Sequence, residues 1–151
     1  MSKINPKEKI RFIKFAVVGI SGTLIDIGLF NLFNQKFGIH PNYAKAYSFS
    51  LAVFNNFFLN RIWTYPESKT LPFMRQFSQY LVVSIVGLLI NLTIFATLDT
   101  RFIQLSDAFL PVDFFLSPIT VGHNIAVIFA TLIVLFWNYF ANRFWTFKSI
   151  Q

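Results

Sequence analysis

Two copies of a ten-residue motif hold the side chains best suited to bind an anion. The first copy is Asn56–Tyr65 and the second, 82 positions later, is Asn138–Phe147, with six of the ten positions identical. Each copy has one arginine, whose guanidinium fork donates bidentate hydrogen bonds to phosphate. Each copy also has two asparagines at i,i+4 spacing, which share a helix face. The predicted lipid-phosphate site comprises Arg61, Asn60, Asn56, Arg143, Asn142 and Asn138.

An arginine beside a tryptophan has a second interpretation, because this pair commonly anchors a membrane helix at the lipid–water interface. Trp63 and Trp145 follow the arginines of the two copies, and we expect both to be interface anchors. For either copy alone, anchoring is the simpler interpretation. The duplication favours an anion site shared by both copies, with Lys14 and Arg75 as more distant basic residues.

Asp26 is an acidic residue inside an apolar stretch. An ionised carboxylate within a bilayer costs at least about 2.5 kcal/mol, so it must face a partner, meet water or take up a proton. Thr23 lies on the same helix face, and Asn91 holds the equivalent place in the second half of the chain. We expect Asp26, with Asn91 and Thr23, to have a proton-linked or ligand-binding role. The alternative is a structural aspartate that is hydrogen-bonded to a neighbouring helix. Lys45 is more typical of a lysine that extends to the membrane surface, although at a similar depth it could also be the counter-ion of Asp26.

The sequence contains no recognisable catalytic constellation. It lacks cysteine and has only two histidines, so it offers neither thiolate chemistry nor a metal site, and we predict no cofactor. The signatures of serine hydrolases, zinc peptidases and phosphate-binding loops are absent, and we expect that the chain is not an enzyme. The formal net charge of +7 does not indicate nucleic acid, because the basic residues flank apolar runs instead of lining a groove.

The elements that must position these residues are membrane helices. Hydrophobic residues make up 55% of the 151 residues and charged residues only 13%, with 21 phenylalanines and a mean hydropathy of +0.57. Four stretches reach the roughly 20 residues that cross about 30 Å of hydrocarbon. We therefore predict an all-α integral membrane fold with four transmembrane helices, at about 12–33, 43–62, 77–98 and 124–144.

The basic residues predict the orientation. Ten of the 13 lysines and arginines fall on the side of the termini and the central connection, which puts both termini in the cytoplasm. The chain is predicted to be one domain, 1–151, with internal repeats at about 11–65 and 76–147, each a helical hairpin. Because each hairpin crosses twice, the repeats are parallel about an axis along the membrane normal. The expected location is the cytoplasmic membrane, with several crossings.

The connection between the third and fourth predicted helices, 99–123, is long and apolar. We expect it to lie in the interface or to dip back into the membrane, with Pro111 and Pro118 breaking any helix. An amphipathic segment that caps the membrane surface is the simpler alternative.

These motifs resemble the GtrA-like family, which includes the GtcA-type proteins of teichoic acid glycosylation. The resemblance extends from about Arg11 to Lys148. Its most specific part is the Asn-Arg-x-Trp-Thr-aromatic ending of each repeat. The residues that carry the rest are Phe12, Phe15, Val18, Gly19, Thr23, Asp26, Asn56 and Phe57.

The resemblance implies a membrane protein that acts on polyprenyl-phosphate-linked sugars. Such a protein carries the lipid, typically undecaprenyl-phosphate glucose, to the outer leaflet, where a separate glycosyltransferase adds the sugar to a cell-surface polysaccharide or teichoic acid. In this scheme Arg61 and Arg143 capture the phosphate, and a polar path including Asp26 and Asn91 carries the head group outward. Because four helices enclose little volume, we expect a homo-oligomer surrounded by membrane lipids.

Two other functions remain open from the residues alone. The chain could be an accessory subunit of a polyprenyl-phosphate sugar synthase or transferase, because that role needs the same lipid-phosphate site. The less favoured alternative is a small proton-coupled exporter of cations, since four-helix exporters also carry one acid in the first helix, here Asp26.

Overall fold

The computed structural model describes residues 6–111 and 114–148, and within them the chain is all-helical. Four α-helices follow one another in this part of the chain: α1 (Pro6–Asn31), α2 (Pro41–Leu59), α3 (Phe73–Phe109) and α4 (Pro118–Ala141). Three of them continue into a π-helical turn, at Leu32–Lys36 after α1, Asn60–Thr64 after α2 and Asn142–Thr146 after α4. A short 3-10 helix, Pro66–Thr70, leads towards α3.

Within the described residues, three helical stretches are long and apolar enough to cross a membrane: Pro6–Lys36, Phe73–Phe109 and Pro118–Thr146. Their large apolar side chains lie on the outside, as with Ile20, which is 63% exposed, and Leu24, which is 67% exposed. Lipid can cover such side chains as water cannot, so this is a membrane protein with three described helices able to span the bilayer. The predicted fourth span contains α2, which carries more polar residues, and it stays a prediction.

The prediction of a long third connection is wrong, because α3 does not end at Leu98 but continues to Phe109. With 37 residues it is about 55 Å long, well beyond the thickness of the hydrocarbon. Helix α4 in turn begins at Pro118, ahead of the predicted Asn124, and proline suits a first helical position. The polar residues of 99–109 end the apolar run without ending the helix, and Pro111, just beyond its last residue, cannot continue it.

The chain divides into two compact units. The first consists of the residues up to Leu81 and those from Ala141 onward, and the second is Val82–Phe140. In the first unit α1 packs against α2, and a Cβ at Gly22 would collide with the side chain of Asn56. This glycine therefore permits the close approach of the two helices.

In the second unit the same contact recurs one repeat later. A Cβ at Gly87 would lie 2.8 Å from the side-chain oxygen of Asn138. Gly87 follows Gly22 by 65 positions, the offset between the first helices of the two predicted repeats, and Asn138 follows Asn56 by 82 positions, the offset between the two motif copies. The recurrence of the contact supports the internal duplication. At another point in this unit, the backbone of Ile103 packs directly on Gly122.

Candidate functional site

Both copies of the ten-residue motif end in the same local structure. Asn60–Thr64 and Asn142–Thr146 form π-helical turns, and in each the following aromatic residue closes the turn. The amide N–H of Tyr65 donates to the Asn60 carbonyl at 2.8 Å, and that of Phe147 donates to the Asn142 carbonyl, also at 2.8 Å. Such turns are uncommon and occur often at functional sites.

The two copies meet through these closing aromatics. The rings of Tyr65 and Phe147 stack with their centroids 4.4 Å apart and their planes 20° apart. Both residues are fully buried. The two helix ends that the sequence places on one side of the membrane are therefore parts of one packed cluster, within the first unit.

Arg61 is buried at this cluster and is held by backbone oxygens. One of its terminal nitrogens, Nη2, donates to the carbonyls of Lys69 at 3.0 Å and Leu71 at 2.8 Å. Its guanidinium group also lies 5.5 Å from the centre of the Phe73 ring. The other terminal nitrogen, Nη1, has no hydrogen-bond partner among the described residues. Arg61 thus ties the end of its own helix to the segment that enters α3.

Arg143 instead pairs with a carboxylate. Its Nε and Nη2 donate to the two oxygens of Glu8 at 3.0 and 3.1 Å, the bidentate geometry that this side chain would also offer a phosphate. Glu8 accepts from Arg11 as well, at 2.7 Å, and Arg11 in turn donates to Glu67 at 3.1 Å. Lys7 lies 3.5 Å from Glu67. These five side chains form a continuous ion-pair network.

Glu67 lies in the segment between α2 and α3, outside the spanning stretches. A hydrogen bond from its own backbone amide, together with the positive charges of Arg11 and Lys7, holds the pKa of its carboxyl below the usual value. Glu67 therefore remains an anion at the acidic end of the physiological range.

The predicted asparagines are packed into the protein. Asn60 donates to the hydroxyl of Tyr80 at 3.4 Å, and the side-chain oxygen of Asn142 accepts from the hydroxyl of Thr146 at 2.9 Å. Each of these two asparagines is 1% exposed, while Asn56 and Asn138 pack on glycines. All six predicted residues therefore make contacts within the protein. Their role in binding a phosphate stays a prediction.

A cleft of about 660 Å³ lies beside this cluster, a size typical of small-ligand sites. One wall is the beginning of α3 and the other is the end of the second motif copy. The lining residues are Leu71, Pro72, Arg75, Gln76, Gln79, Trp145, Thr146 and Lys148. Arg75 and Lys148 are exposed, and no acidic residue of the described chain lines the cleft. The cleft is therefore positively charged.

Gln76 gives the cleft a buried polar group. It is 1% exposed, its side-chain nitrogen donates to the Thr146 carbonyl at a long 3.4 Å, and its oxygen Oε1 has no partner among the described residues. A buried acceptor of this kind is costly unless something donates to it. Trp145, which is 48% exposed at the same cleft, adds a flat apolar surface. Cations, amides and an aromatic ring together suit a phosphate that carries a hydroxylated group.

The sequence does not predict this cleft. Of its lining residues, Arg75 is expected only as a more distant basic residue and Trp145 as an interface anchor, and the motifs do not include Gln76, Gln79 or Lys148. A local signal exists, because Arg75 is followed by two amides at i+1 and i+4, at the start of an apolar helix. That the end of the second motif copy forms the opposite wall is visible only in the fold.

The structure pairs Asp26 with Lys45, the less favoured of the two sequence interpretations of that lysine. One carboxylate oxygen accepts from the ammonium group of Lys45, and the other accepts from the hydroxyl of Ser48 at 2.6 Å. The charge of Asp26 is therefore compensated between α1 and α2. The hydroxyl of Thr23 donates to the Gly19 carbonyl within its own helix. The counterpart of Asp26 in the second unit is Asn91, on α3 and partly exposed. A proton-linked or sugar-binding role for Asp26, Asn91 and Thr23 stays a prediction.

Fold and site together define a class of protein: a small helical membrane domain in which two duplicated, basic helix ends meet in one cluster. The chain belongs to the GtrA/DPMS transmembrane domain family, which its residues 14–147 match. A dolichol-phosphate mannosyltransferase of Pyrococcus furiosus is 29% identical over 85 residues, which cover 56% of this chain and 24% of that protein. The match therefore spans about a quarter of the relative's length.

Proposed function

We propose that the chain moves a polyprenyl-phosphate-linked sugar, such as undecaprenyl-phosphate glucose, across the cytoplasmic membrane. A separate glycosyltransferase would then use the sugar to modify a surface polysaccharide or teichoic acid. The observation that carries the proposal is the positively charged cleft beside the two motif copies. The family supports it, because the name of the relative in Pyrococcus furiosus links this kind of membrane domain to a lipid phosphate and a sugar.

In the proposed complex, Arg75 and Lys148 bind the phosphate, since they are the two cations of the cleft and charge-assisted hydrogen bonds are the strong ones. The buried Oε1 of Gln76 accepts a hydrogen bond from a sugar hydroxyl. Trp145 packs against the apolar face of the sugar ring. The prenyl tail stays in lipid beside the exposed apolar residues of the spanning helices. The protein supplies binding and a path, and no bond is made or broken.

Arg61 and Arg143 take part in this proposal from behind the cleft. Arg61 holds the carbonyl of Leu71, which lines the cleft, and Arg143 stands two residues before Trp145. Each contacts the phosphate only after leaving its present partners, the two carbonyls for Arg61 and Glu8 for Arg143. Both arginines therefore hold the walls in this conformation and become available to the phosphate if the cluster opens.

A second function, that of an accessory membrane domain for a polyprenyl-phosphate sugar transferase, is favoured by one specific observation. The part of the mannosyltransferase that matches this chain is about a quarter of its length, so a domain of this kind occurs there within a longer protein. In this role the cleft would hold the lipid substrate for a partner enzyme. The proton-coupled exporter is less favoured, because Asp26 already has Lys45 as an internal counter-ion.

The deciding experiment measures exposure of the sugar. The purified chain is reconstituted in vesicles with polyprenyl-phosphate glucose, and an impermeant reagent reports how much of the sugar becomes accessible with time. Accelerated exposure that is lost in the Arg75→Ala, Lys148→Ala double variant supports translocation. Unchanged exposure despite measured lipid binding would refute translocation and favour the accessory function. The matched control is Lys36→Ala, Arg101→Ala, which removes two exposed cations that do not line the cleft.

A further inference from the structure

Because the motif is duplicated, the cleft has a counterpart in the first copy. With the offset of 65 that relates α1 to α3, Gln76 corresponds to Arg11 and Gln79 to Lys14. With the offset of 82 that relates the motif copies, Trp145 corresponds to Trp63. Both sets belong to the first unit. The two cations of the cleft have no basic counterpart, because the same offsets pair Arg75 with Ile10 and Lys148 with Pro66.

In the first copy, basic side chains of the chain itself contact the corresponding place. Lys14 donates to the Trp63 carbonyl at 3.3 Å, and its ammonium lies 5.4 Å from the centre of the Trp63 ring. Arg11, only 5% exposed, lies 5.6 Å from the centre of the Tyr65 ring. These contacts set two basic side chains of the chain itself against the aromatic rings of the motif, while Trp63 keeps an exposure of 43%, close to the 48% of Trp145.

The two copies also differ in where their negative charge comes from. In the first copy the carboxylate of Glu67 lies between Lys7 and Arg11, so the chain supplies its own anion. The residue 82 positions after Glu67 is a serine, outside the described residues. In the second copy no acid of the described chain lines the cleft, and the counterpart of Arg11 is the uncharged Gln76 with an unpartnered, buried Oε1. The described residues therefore offer the cations of this cleft no carboxylate, and an anion from outside can pair with them.

We infer that the two copies have diverged into one self-filled cleft and one ligand cleft, so that each chain binds a single phosphorylated head group. In the first copy Glu67 stands where the ligand's phosphate lies in the second. The unpaired Gln76 oxygen indicates a ligand that also donates a hydrogen bond, as a phosphate ester of a hydroxylated group does. The inference rests on the proposed function, which uses the second cleft, and adds its stoichiometry and the residue that closes the first.

The test counts bound ligands per chain by native mass spectrometry of the detergent-purified protein, with farnesyl phosphate as the probe. The wild type should bind one equivalent. Glu67→Gln removes the internal anion while keeping size and shape, and should admit a second equivalent beside Lys7 and Arg11. The matched control is Asp107→Asn, which removes one exposed acid from the second unit and should still bind one.

Each result has a definite meaning. One equivalent in both the wild type and Glu67→Gln would overturn the self-filled cleft, and two in the wild type would overturn the single ligand cleft. Arg75→Ala, Lys148→Ala should lose the wild-type equivalent. If that variant still binds one while Glu67→Gln binds two, the proposed function fails at its cleft and the role of Glu67 stands.

A reciprocal variant and a second probe complete the test. Gln76→Glu introduces a carboxylate into the second cleft and should weaken farnesyl phosphate binding at least tenfold through like-charge repulsion, whereas Gln76→Asn should weaken it less. Equal affinities for these two variants would contradict the inference. Inorganic phosphate should bind at least tenfold more weakly than farnesyl phosphate, and equal binding would assign the cleft to free phosphate and overturn the assignment to a lipid head group.

Discussion

Replacing Gln76 by methionine should stabilise the protein and weaken its ligand binding at the same time. The side chain is 1% exposed, so the substitution acts in a closed space, and methionine nearly conserves its volume. It removes the buried Oε1, which has no partner in the described part of the chain. Leaving such a group unsatisfied costs about 1–3 kcal/mol, which the variant recovers.

The stability that Gln76→Met loses with the Gln76 hydrogen bond is small. The bond from the Gln76 amide to the Thr146 carbonyl is 3.4 Å long, at the outer limit for a hydrogen bond, and even an ordinary one contributes only about 0.5–1.5 kcal/mol. We therefore expect the free energy of unfolding to stay the same or to rise by up to about 2 kcal/mol. Loss of the acceptor should weaken binding of a polyprenyl-phosphate sugar about tenfold, the value of one hydrogen bond to a ligand.

Two assays on the same preparation check this. Thermal or denaturant unfolding in detergent gives the stability, and titration with the lipid-linked sugar gives the affinity. Gln79→Met, at the same cleft but only partly buried, is the matched control and should leave stability nearly unchanged. A Gln76→Met variant that loses more than about 1 kcal/mol of stability and binds normally would refute the reasoning and make Gln76 a purely structural residue.

Three further predictions concern packing and charge. Gly22→Ala should destabilise the protein by about 1–3 kcal/mol, since its Cβ would collide with a neighbouring helix. Gly19→Ala, whose Cβ would have nothing within 4 Å, should be neutral or stabilising. Equal melting temperatures for the two variants would contradict the observed packing. Lys45→Met should destabilise the protein by about 1 kcal/mol. Adding Asp26→Asn should restore most of that loss in the same unfolding assay. A Lys45→Met variant as stable as the wild type would show that the pair contributes nothing. The pKa of Glu67 is lowered in the folded state, so its carboxylate stabilises the fold above the unfolded pKa and loses this effect as the pH falls through the folded pKa. The difference in unfolding free energy between the wild type and Glu67→Gln should therefore shrink on acidification. A difference that grows would contradict the lowered pKa.

The sequence predicts those features of the site that are local or repeated. The duplicated motif indicates two similar helix ends, and both fold into the same π-helical turn. The similar depth of Asp26 and Lys45 allows an ion pair, although the sequence favours a snorkelling lysine, and the structure contains the pair. In each case the information lies within one helix end or one pair of neighbouring helices, where periodicity and charge are sufficient guides.

The cleft and the partners of the arginines are not predictable in this way, because they depend on segments far apart in the chain. Gln76 and Thr146 are 70 residues apart, and Arg143 and Glu8 are 135 apart. An arginine at a helix end is ordinarily exposed, which made Arg61 and Arg143 seem open to a ligand. Close packing of the two motif copies buries them and supplies carbonyls to one and a carboxylate to the other.

The extent of α3 eludes prediction for a different reason. Hydropathy measures where a helix leaves the hydrocarbon, whereas a helix ends where its backbone hydrogen bonds end. Between residues 99 and 109 the hydropathy falls, but the helix does not end, since no proline interrupts its hydrogen bonding there. Asp99 is held by His123 of α4 at 2.6 Å, so this part of the helix also has a polar contact within its unit.

The polar residues of α2 fit a helix that can lie in a membrane because its polar groups are paired with another helix, and not because the helix is apolar throughout. Its Lys45 and Ser48 bind Asp26 of α1, and Asn56 packs on Gly22 of the same helix. Polar groups satisfied in this way do not have to face lipid, which lowers the cost of placing them within a bilayer. A hydropathy criterion counts those groups as if they were unpaired. Exclusion of α2 from the apolar spans is therefore compatible with four crossings, and α1 is the partner that would make the crossing by α2 possible.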